Sequence, residues 1–495
     1  MNSQELLREV SFGSRVAEEE SARLRSYFVQ TNDWKRVYSG EVDVVYGPKG
    51  SGKSAIYSLL QDSTAELFDK SILYIPGENP RGATAFKELV ADPPTTEMEF
   101  QDLWKLYFSS LIAGVFSEFD IKGKQSEQLS SGLRDRGLLV GSESLSEKFK
   151  KAFDYVRSIR PTSLEAGVKV DQYTGLPTGV VAKVGFDGSD AAEKLGNTSP
   201  DVLLKLANDA VKGSGFRVWL AIDRLDVAFQ ENDVLEANAL RALFKVYLDL
   251  LVHGNLRLMI FLRTDIWKKI TESGFREASH ITRALTITWS RDALLNLILR
   301  RLLQSDQVAT VYAVDSKAVL ADQALQETLF YRVFPSQIDV GEKKPSTLEW
   351  ILSRTRDGTG NQAPRELIHL LNEAREIQIQ KYTVGGEKPE GSNLFSRSVI
   401  KEALRPVSKV RLEQTLYAEY PSLKTLIQKL EKEKATQRLD SLSKIWKNQV
   451  EEAHSSAEKL ADIGFFERRG TKQAPAYWVP FLYRDALDLV QGEAE

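Results

Sequence analysis

The chain has 495 residues, 42% of them hydrophobic and 27% charged, with 66 Lys+Arg against 69 Asp+Glu and a formal net charge of -3. This length exceeds one ordinary domain, and the near-neutral balance gives no global pull toward nucleic acid, so any such binding must come from a local basic face. The lack of cysteine excludes disulfides, zinc ribbons and thiol catalysis, and four histidines argue against a His-rich metal site. With no apolar run of membrane-spanning length and no leader pattern at Met1, the expectation is a cytoplasmic chain with no membrane partner.

Residues 1–40 read as a helical lead-in, with Phe28, Trp34 and Val37 available either beside a ligand or in a core. Next comes a β-prone run, Val42-Asp43-Val44-Val45-Tyr46, then Gly47-Pro48-Lys49-Gly50-Ser51-Gly52-Lys53-Ser54, then the helix-compatible Ala55-Ile56-Tyr57-Ser58-Leu59-Leu60. Strand, glycine-rich loop and helix are the three-part context of the G-x-x-x-x-G-K-[ST] phosphate motif, so the chain is expected to bind ATP or GTP. Gly47, Gly50 and Gly52 adopt backbone angles closed to other residues, which lets the N–H groups from Gly47 to Ala55, those of Lys49 and Ser51 included, converge on phosphate oxygens. Lys53 is positioned for the β- and γ-phosphates and the Ser54 hydroxyl for Mg²⁺, at the positive end of the helix dipole.

A second strand is expected at residues 71–76, closed by Pro76 and Gly77. Leu103, Leu106, Tyr107, Ile112 and Phe116 recur at helical spacing over residues 100–119, an amphipathic core helix. From about 123 to 197 the composition turns to Gly, Ser, Lys and Glu, which reads as an insertion with a hairpin near 168–186. Residues 216–222 form a nearly continuous apolar strand, suited to a parallel sheet covered on both faces, and it ends at Asp223. A carboxylate on a buried strand tip downstream of a phosphate loop is the expected second Mg²⁺ partner. A further strand over 256–262 ends in Arg263 and Thr264, placed to sense a γ-phosphate from the ligand crevice. Residues 285–289 give a fifth strand, and the alternation argues an α/β core with a parallel sheet over about 41–290.

With phosphate loop, Asp-tipped strand and polar strand tip in that order, the chain resembles the AAA+ and STAND-like ATPases. The resemblance implies ATP with Mg²⁺, a strand intervening between the phosphate-loop strand and the Asp223 strand, and a helical lid over 291–384. Residues 290–302 look like the first lid helix, and residues 360–371 like the one whose arginine, Arg365, returns to the nucleotide. The pattern departs at Arg224, where the family places the water-polarising glutamate; Asp226 is the substitute, and slow hydrolysis would suit a switch more than a motor. In AAA+ assemblies an arginine near the end of the helix before the fifth strand reaches a neighbour's γ-phosphate; Arg276 and Arg283 occupy that zone, which implies a homo-oligomer.

The amino-terminal half is also similar to a poorly characterised group of bacterial P-loop ATPases, some associated with phage defence. Beyond a linker at 385–391, residues 396–495 read as helices followed by a hairpin with a basic turn, Arg468, Arg469 and Lys472, an order that resembles a winged helix. Residues 401–450 hold eleven Lys+Arg against six Asp+Glu, an excess able to contact a phosphate backbone. Two functions follow: an oligomeric ATP-driven switch that signals to a protein effector, plausibly in antiphage defence, and a DNA-binding ATPase similar to origin-recognition proteins, with DNA on the C-terminal domain.

Overall fold

The computed structural model describes all residues except 1, 15–19, 80–84, 87–95, 140–143, 159–160, 171–176, 187–198, 226–232, 273, 472 and 495. The chain divides into two compact units: residues 36–46 with 56–286 make one, and residues 1–35, 47–55 and 287–495 the other.

The first unit is built on five strands, β1 (Val44–Gly47), β2 (Ile72–Pro76), β5 (Arg217–Ile222), β6 (Leu256–Arg263) and β7 (Ala284–Thr286), ordered β2-β5-β6-β1-β7. The pairings β2 with β5, β5 with β6 and β1 with β7 are parallel. Burial explains the composition: β1 and the last five residues of β5 are buried throughout, as a parallel sheet covered on both faces demands. The strand that carries Asp223 is separated from β1 by β6, the intervening strand that the AAA+ resemblance implies. The fold is thus an α/β P-loop NTPase fold.

Helix Glu97–Glu118 opens on a capping box, in which the Thr96 side chain accepts from the Glu99 N–H and the Glu99 carboxylate accepts from the Thr96 N–H. Its aromatic residues Phe100, Trp104, Tyr107 and Phe108 enter the core with Phe86 and Phe149. Helices Lys124–Arg134 and Leu145–Ser158, from the stretch read as an insertion, contribute Leu129, Leu133 and Phe153 to the same core. The expected hairpin is present as antiparallel β3 (Pro161–Val170) and β4 (Pro177–Phe186), with its first strand starting earlier than 168.

The second unit is mostly helical. Helix Arg291–Leu302 starts at Ser290, whose hydroxyl accepts from the Ala293 N–H, and helix Pro364–Thr383 carries a proline in its first turn, where no N–H is needed. Both feed one apolar core with Leu6, Leu7 and Phe12 from the amino-terminal helix Ser3–Glu9 and its continuation. Near the carboxyl end, β8 (Lys434–Arg438), helices Leu439–Trp446 and Val450–Asp462, and the antiparallel pair β9 (Glu467–Gly470) and β10 (Pro475–Trp478) follow in order. β10 also pairs antiparallel with β8, and β11 (Val490–Glu493) joins β8 in parallel, two strands that the periodicity did not reveal.

Among the described residues no helix is long and apolar enough to cross a membrane.

Candidate nucleotide site

The phosphate loop leaves the carboxyl end of β1 and enters helix Lys53–Asp62. Gly50 and Gly52 have φ of +83° and +102°, left-handed angles that strain any side chain. Gly47 is not among the positive-φ residues; its constraint is steric, because a Cβ there would collide with the Ser51 hydroxyl. The Lys53 ammonium donates to the carbonyls of Gly47 at 2.8 Å and Pro48 at 3.1 Å, which holds it within the loop. Trp289 locks the loop from the other side, its indole N–H donating to the Ser51 carbonyl at 2.8 Å.

These groups line a cleft with Tyr27, Phe28, Val29, Ser54, Ala55, Leu297, Arg301, Pro364, Arg365 and Ile368. Phe28 therefore reaches the cleft, and Trp34 packs edge-on against it at 5.4 Å between centroids. Val37 is fully buried and does not line the cleft. Arg365 stands directly over the loop: a Cβ on Gly50 would come within 2.9 Å of the Arg365 Cβ. Its Nε is buried with no hydrogen-bond partner among the described residues. A buried guanidinium donor without an acceptor costs free energy that an anion would recover.

Several contributors were not legible in sequence. Arg301, 7% exposed, donates to the Glu20 carboxylate at 3.0 Å and lies 4.4 Å from the Tyr27 ring centroid, which fixes one wall. Glu366, next to Arg365, is buried and accepts from Arg411 at 2.9 Å, and Asp357 stands 3.8 Å from the same guanidinium. Burial alone would push Arg411 down, but Tyr483, Glu366 and Asp357 outweigh it and hold the group fully charged. Lys49 in the loop forms an ion pair with Glu419. The loop and the Arg365 helix are thus each tied to the carboxyl-terminal segment by a charge pair.

In the sheet unit, Asp223 is 4% exposed and follows the tip of β5. Arg224 beside it sits at φ +58° and donates to the Asn79 carbonyl at 2.9 Å, joining this tip to the loop after β2. That loop carries Glu78, a fully buried carboxylate that accepts from the N–H groups of Asn79 at 2.6 Å and Ala85 at 3.0 Å. Burial, with the carboxylates of Asp223 and Glu78 behind it, holds the Tyr57 hydroxyl far above the usual phenol range. Glu78 is thus a second acid on the same carboxyl edge of the sheet, signalled in sequence only by its place two residues beyond a strand. Asp226 lies outside the described residues, as does Lys472.

Arg263, at the end of β6, is held by a two-toothed pair with Asp265 at 3.0 and 2.7 Å, and Thr264 begins the following helix. Arg283 pairs with buried Asp43 at 2.7 Å and donates to the Gly40 carbonyl at 2.6 Å, whereas Arg276 is exposed on a short 3-10 turn, Arg276–His280.

Loop, strand order and buried acid at the strand tip define the class, a P-loop NTPase fold. No family model matches the chain, and none of the curated proteins is similar to it. Among solved structures it is similar to the Aeropyrum pernix ORC1 protein in complex with DNA, at 11% identity and a TM-score of 0.34, with 96% of each chain covered. It is also similar to the Aeropyrum pernix ORC2 protein in its ADPNP-ADP complexes, at 12% identity and TM-score 0.29 over 94% of this chain and 93% of that one. The ADP form of ORC2 gives 12% identity and TM-score 0.31 over 93% and 88%. Overlaps this loose carry no functional argument, and the assignment stands on the strand order and the loop.

Proposed function

We propose that the chain is an AAA+-type ATPase that works as a nucleotide-driven switch: ATP binding at the phosphate loop is sensed by Arg365 and passed to the carboxyl-terminal segment. The observation that carries this reading is the buried, partnerless Nε of Arg365 directly over Gly50, on a helix whose next residue is clamped by Arg411. The cleft opens to solvent, so a nucleotide can enter it, and engagement of the Arg365 guanidinium is the signal.

In this reading Gly47, Pro48, Lys49, Gly50, Ser51, Gly52, Lys53, Ser54 and Ala55 cradle the triphosphate. The Ser54 hydroxyl and Asp223 carboxylate are oxygen donors of the kind Mg²⁺ requires; the ion would neutralise developing phosphate charge. Thr264 is the better γ-phosphate sensor, because Arg263 is already neutralised by Asp265. By the same logic Arg276, which is exposed, is the residue offered to a neighbouring copy, while Arg283 is engaged by Asp43. The acid that orients water is Asp226 or Glu78.

The order helix, strand, helix, helix, hairpin at the carboxyl end fits a winged helix, and with it the runner-up, a DNA-binding ATPase. One observation favours that second reading: on the hairpin, exposed Arg469 stands over the Trp478 ring at 3.8 Å. Burial, with Arg469 and Arg354 nearby, pushes Arg484 down to about 10. A role in phage defence rests on the sequence resemblance alone.

The test is size-exclusion chromatography with and without a non-hydrolysable ATP analogue and Mg²⁺, beside phosphate release. The wild type should change apparent size with the analogue, and Arg365→Gln should bind it but fail to respond. A wild-type response in Arg365→Gln overturns the switch reading, and unchanged turnover in Asp226→Asn eliminates Asp226 as the base.

A further inference from the structure

At the edge of the sheet opposite to Asp223, the amino ends of all five parallel strands contribute to one cavity of about 490 Å³. Asp43 comes from the residue before β1, Ile72 from β2, Arg217 from β5, Leu256 and Arg257 from β6, and Arg283 from just before β7. Lys70 and His253 complete the polar lining, with Tyr38, Trp219 and Tyr247 as its aromatic walls. The volume lies in the range of small-molecule sites.

The charge of this lining exceeds what its structure requires. One carboxylate, Asp43, faces four permanent cations, Lys70, Arg217, Arg257 and Arg283. Asp43 is fully served: Arg257 donates to its Oδ1, while Arg283 at 2.7 Å and the Tyr247 hydroxyl at 3.2 Å reach its Oδ2. The burial of Tyr247, with Asp43 next to it, raises that phenol well above its usual range, so Tyr247 stays a neutral donor. Among the described residues Lys70, Arg217 and His253 pair with no carboxylate. Arg257 is only 14% exposed, yet its Nη2 is buried with no hydrogen-bond partner among the described residues. Burial is the largest influence on Arg257 and lowers its proton affinity. A like-charged, partly dehydrated group of this kind is costly unless an anion joins it.

The cations are also held in place. The Arg257 guanidinium lies 5.0 Å from the Trp219 ring centroid and the Lys70 ammonium 4.3 Å from that of Tyr38. Such stacking fixes long side chains before a ligand arrives and lowers the entropy lost on binding.

We infer that this cavity is a second anion site, separate from the phosphate loop, that takes a small phosphate-bearing ligand of the phosphomonoester or pyrophosphate class. Forked guanidinium donors from Arg257 and Arg217 match phosphate oxygens, and Lys70 adds a point charge. A concave lining of this size favours a small ligand over a strand of nucleic acid, which would need an extended basic track.

Inorganic pyrophosphate is the probe, measured by calorimetry on full-length Lys53→Ala protein so that the phosphate loop does not compete. One-to-one uptake is expected, weakened at least about tenfold by Lys70→Gln combined with Arg217→Gln and by added salt. Both residues are exposed, and the double variant in the otherwise unchanged chain should keep wild-type affinity for the ATP analogue. No pyrophosphate uptake by the Lys53→Ala chain overturns the inference, and so does uptake that ignores the double substitution. Tighter binding of a DNA oligonucleotide than of pyrophosphate, lost in the double variant, replaces the small ligand with nucleic acid.

Discussion

The phosphate-loop cleft and the basic cavity at the strand starts both concentrate positive potential, but by different means. The first uses main-chain N–H groups of one contiguous loop, with Gly50 and Gly52 in left-handed angles and one lysine folded onto the loop. The second uses side chains at the starts of strands more than two hundred residues apart, Asp43 meeting Arg257 and Arg283. A contiguous device leaves a spacing in the sequence; an assembled one leaves only isolated basic residues at strand starts. The comparison also separates what each region tolerates. Loop geometry depends on backbone angles at Gly50 and Gly52, so a side chain there brings strain, whereas surplus surface cations can be removed without it.

The widest separation between the two regions is expected at Lys53. Lys53→Ala should reduce affinity for an ATP analogue at least about 100-fold, read by calorimetry, and leave thermal stability within about 0.5 kcal/mol because the side chain is only partly buried. Retained affinity would mean that Arg365 and the loop amides suffice without the ammonium.

A smaller effect on binding but a large one on stability belongs to the clamp behind the cleft. Arg411→Met leaves the carboxylates of Glu366 and Asp357 buried without their cation, and should cost about 3–5 kcal/mol in chemical denaturation. Asp357, already raised by burial, should then take up a proton, so that the defect shrinks at acid pH. A neutral outcome at pH 7 would show that the clamp contributes register and not stability.

The mildest test lies in the sheet unit, on helix Glu97–Glu118. Burial first, then Asp201 and Glu99 against the opposing pull of Lys105, raises Asp102 to about 6. Its unfolded value is near 3.9, so the fold prefers the protonated form. The penalty is absent below about pH 4, grows as pH rises through 6 and is complete at pH 7. Asp102→Asn should therefore raise stability at pH 7 by about 1 kcal/mol, a figure discounted for screening by water, and have no effect near pH 4. A gain that persists at pH 4 would point to packing instead.

Much of the fold was legible. All five core strands were found, because buried parallel strands read as continuous apolar runs. The fifth was misplaced: β7 is Ala284–Thr286, and residues 287–289 instead lead toward the next helix, with Trp289 turned onto the loop. Val44–Gly47 likewise begins two residues later than its apolar run. β8 and β11 escaped because a strand such as Lys-Ala-Thr-Gln-Arg carries too little apolar contrast to register. At the site, the loop and Arg365 were visible as motif and lid pattern. The pairs Lys49 with Glu419, Glu366 with Arg411 and Arg301 with Glu20 were not, since charged side chains carry no mark of the partner they meet.

From its residues alone this chain determined a phosphate-binding loop between a strand and a helix, an acid on a later buried strand, and the α/β alternation, because each depends on local backbone angles or on periodic burial. Tertiary structure alone decided that Arg283 serves Asp43, that Lys49 meets Glu419, and that five strand starts share one basic cavity. Those outcomes depend on which distant segments pack together, and Coulomb attraction and exclusion of water act through space without regard to separation along the chain.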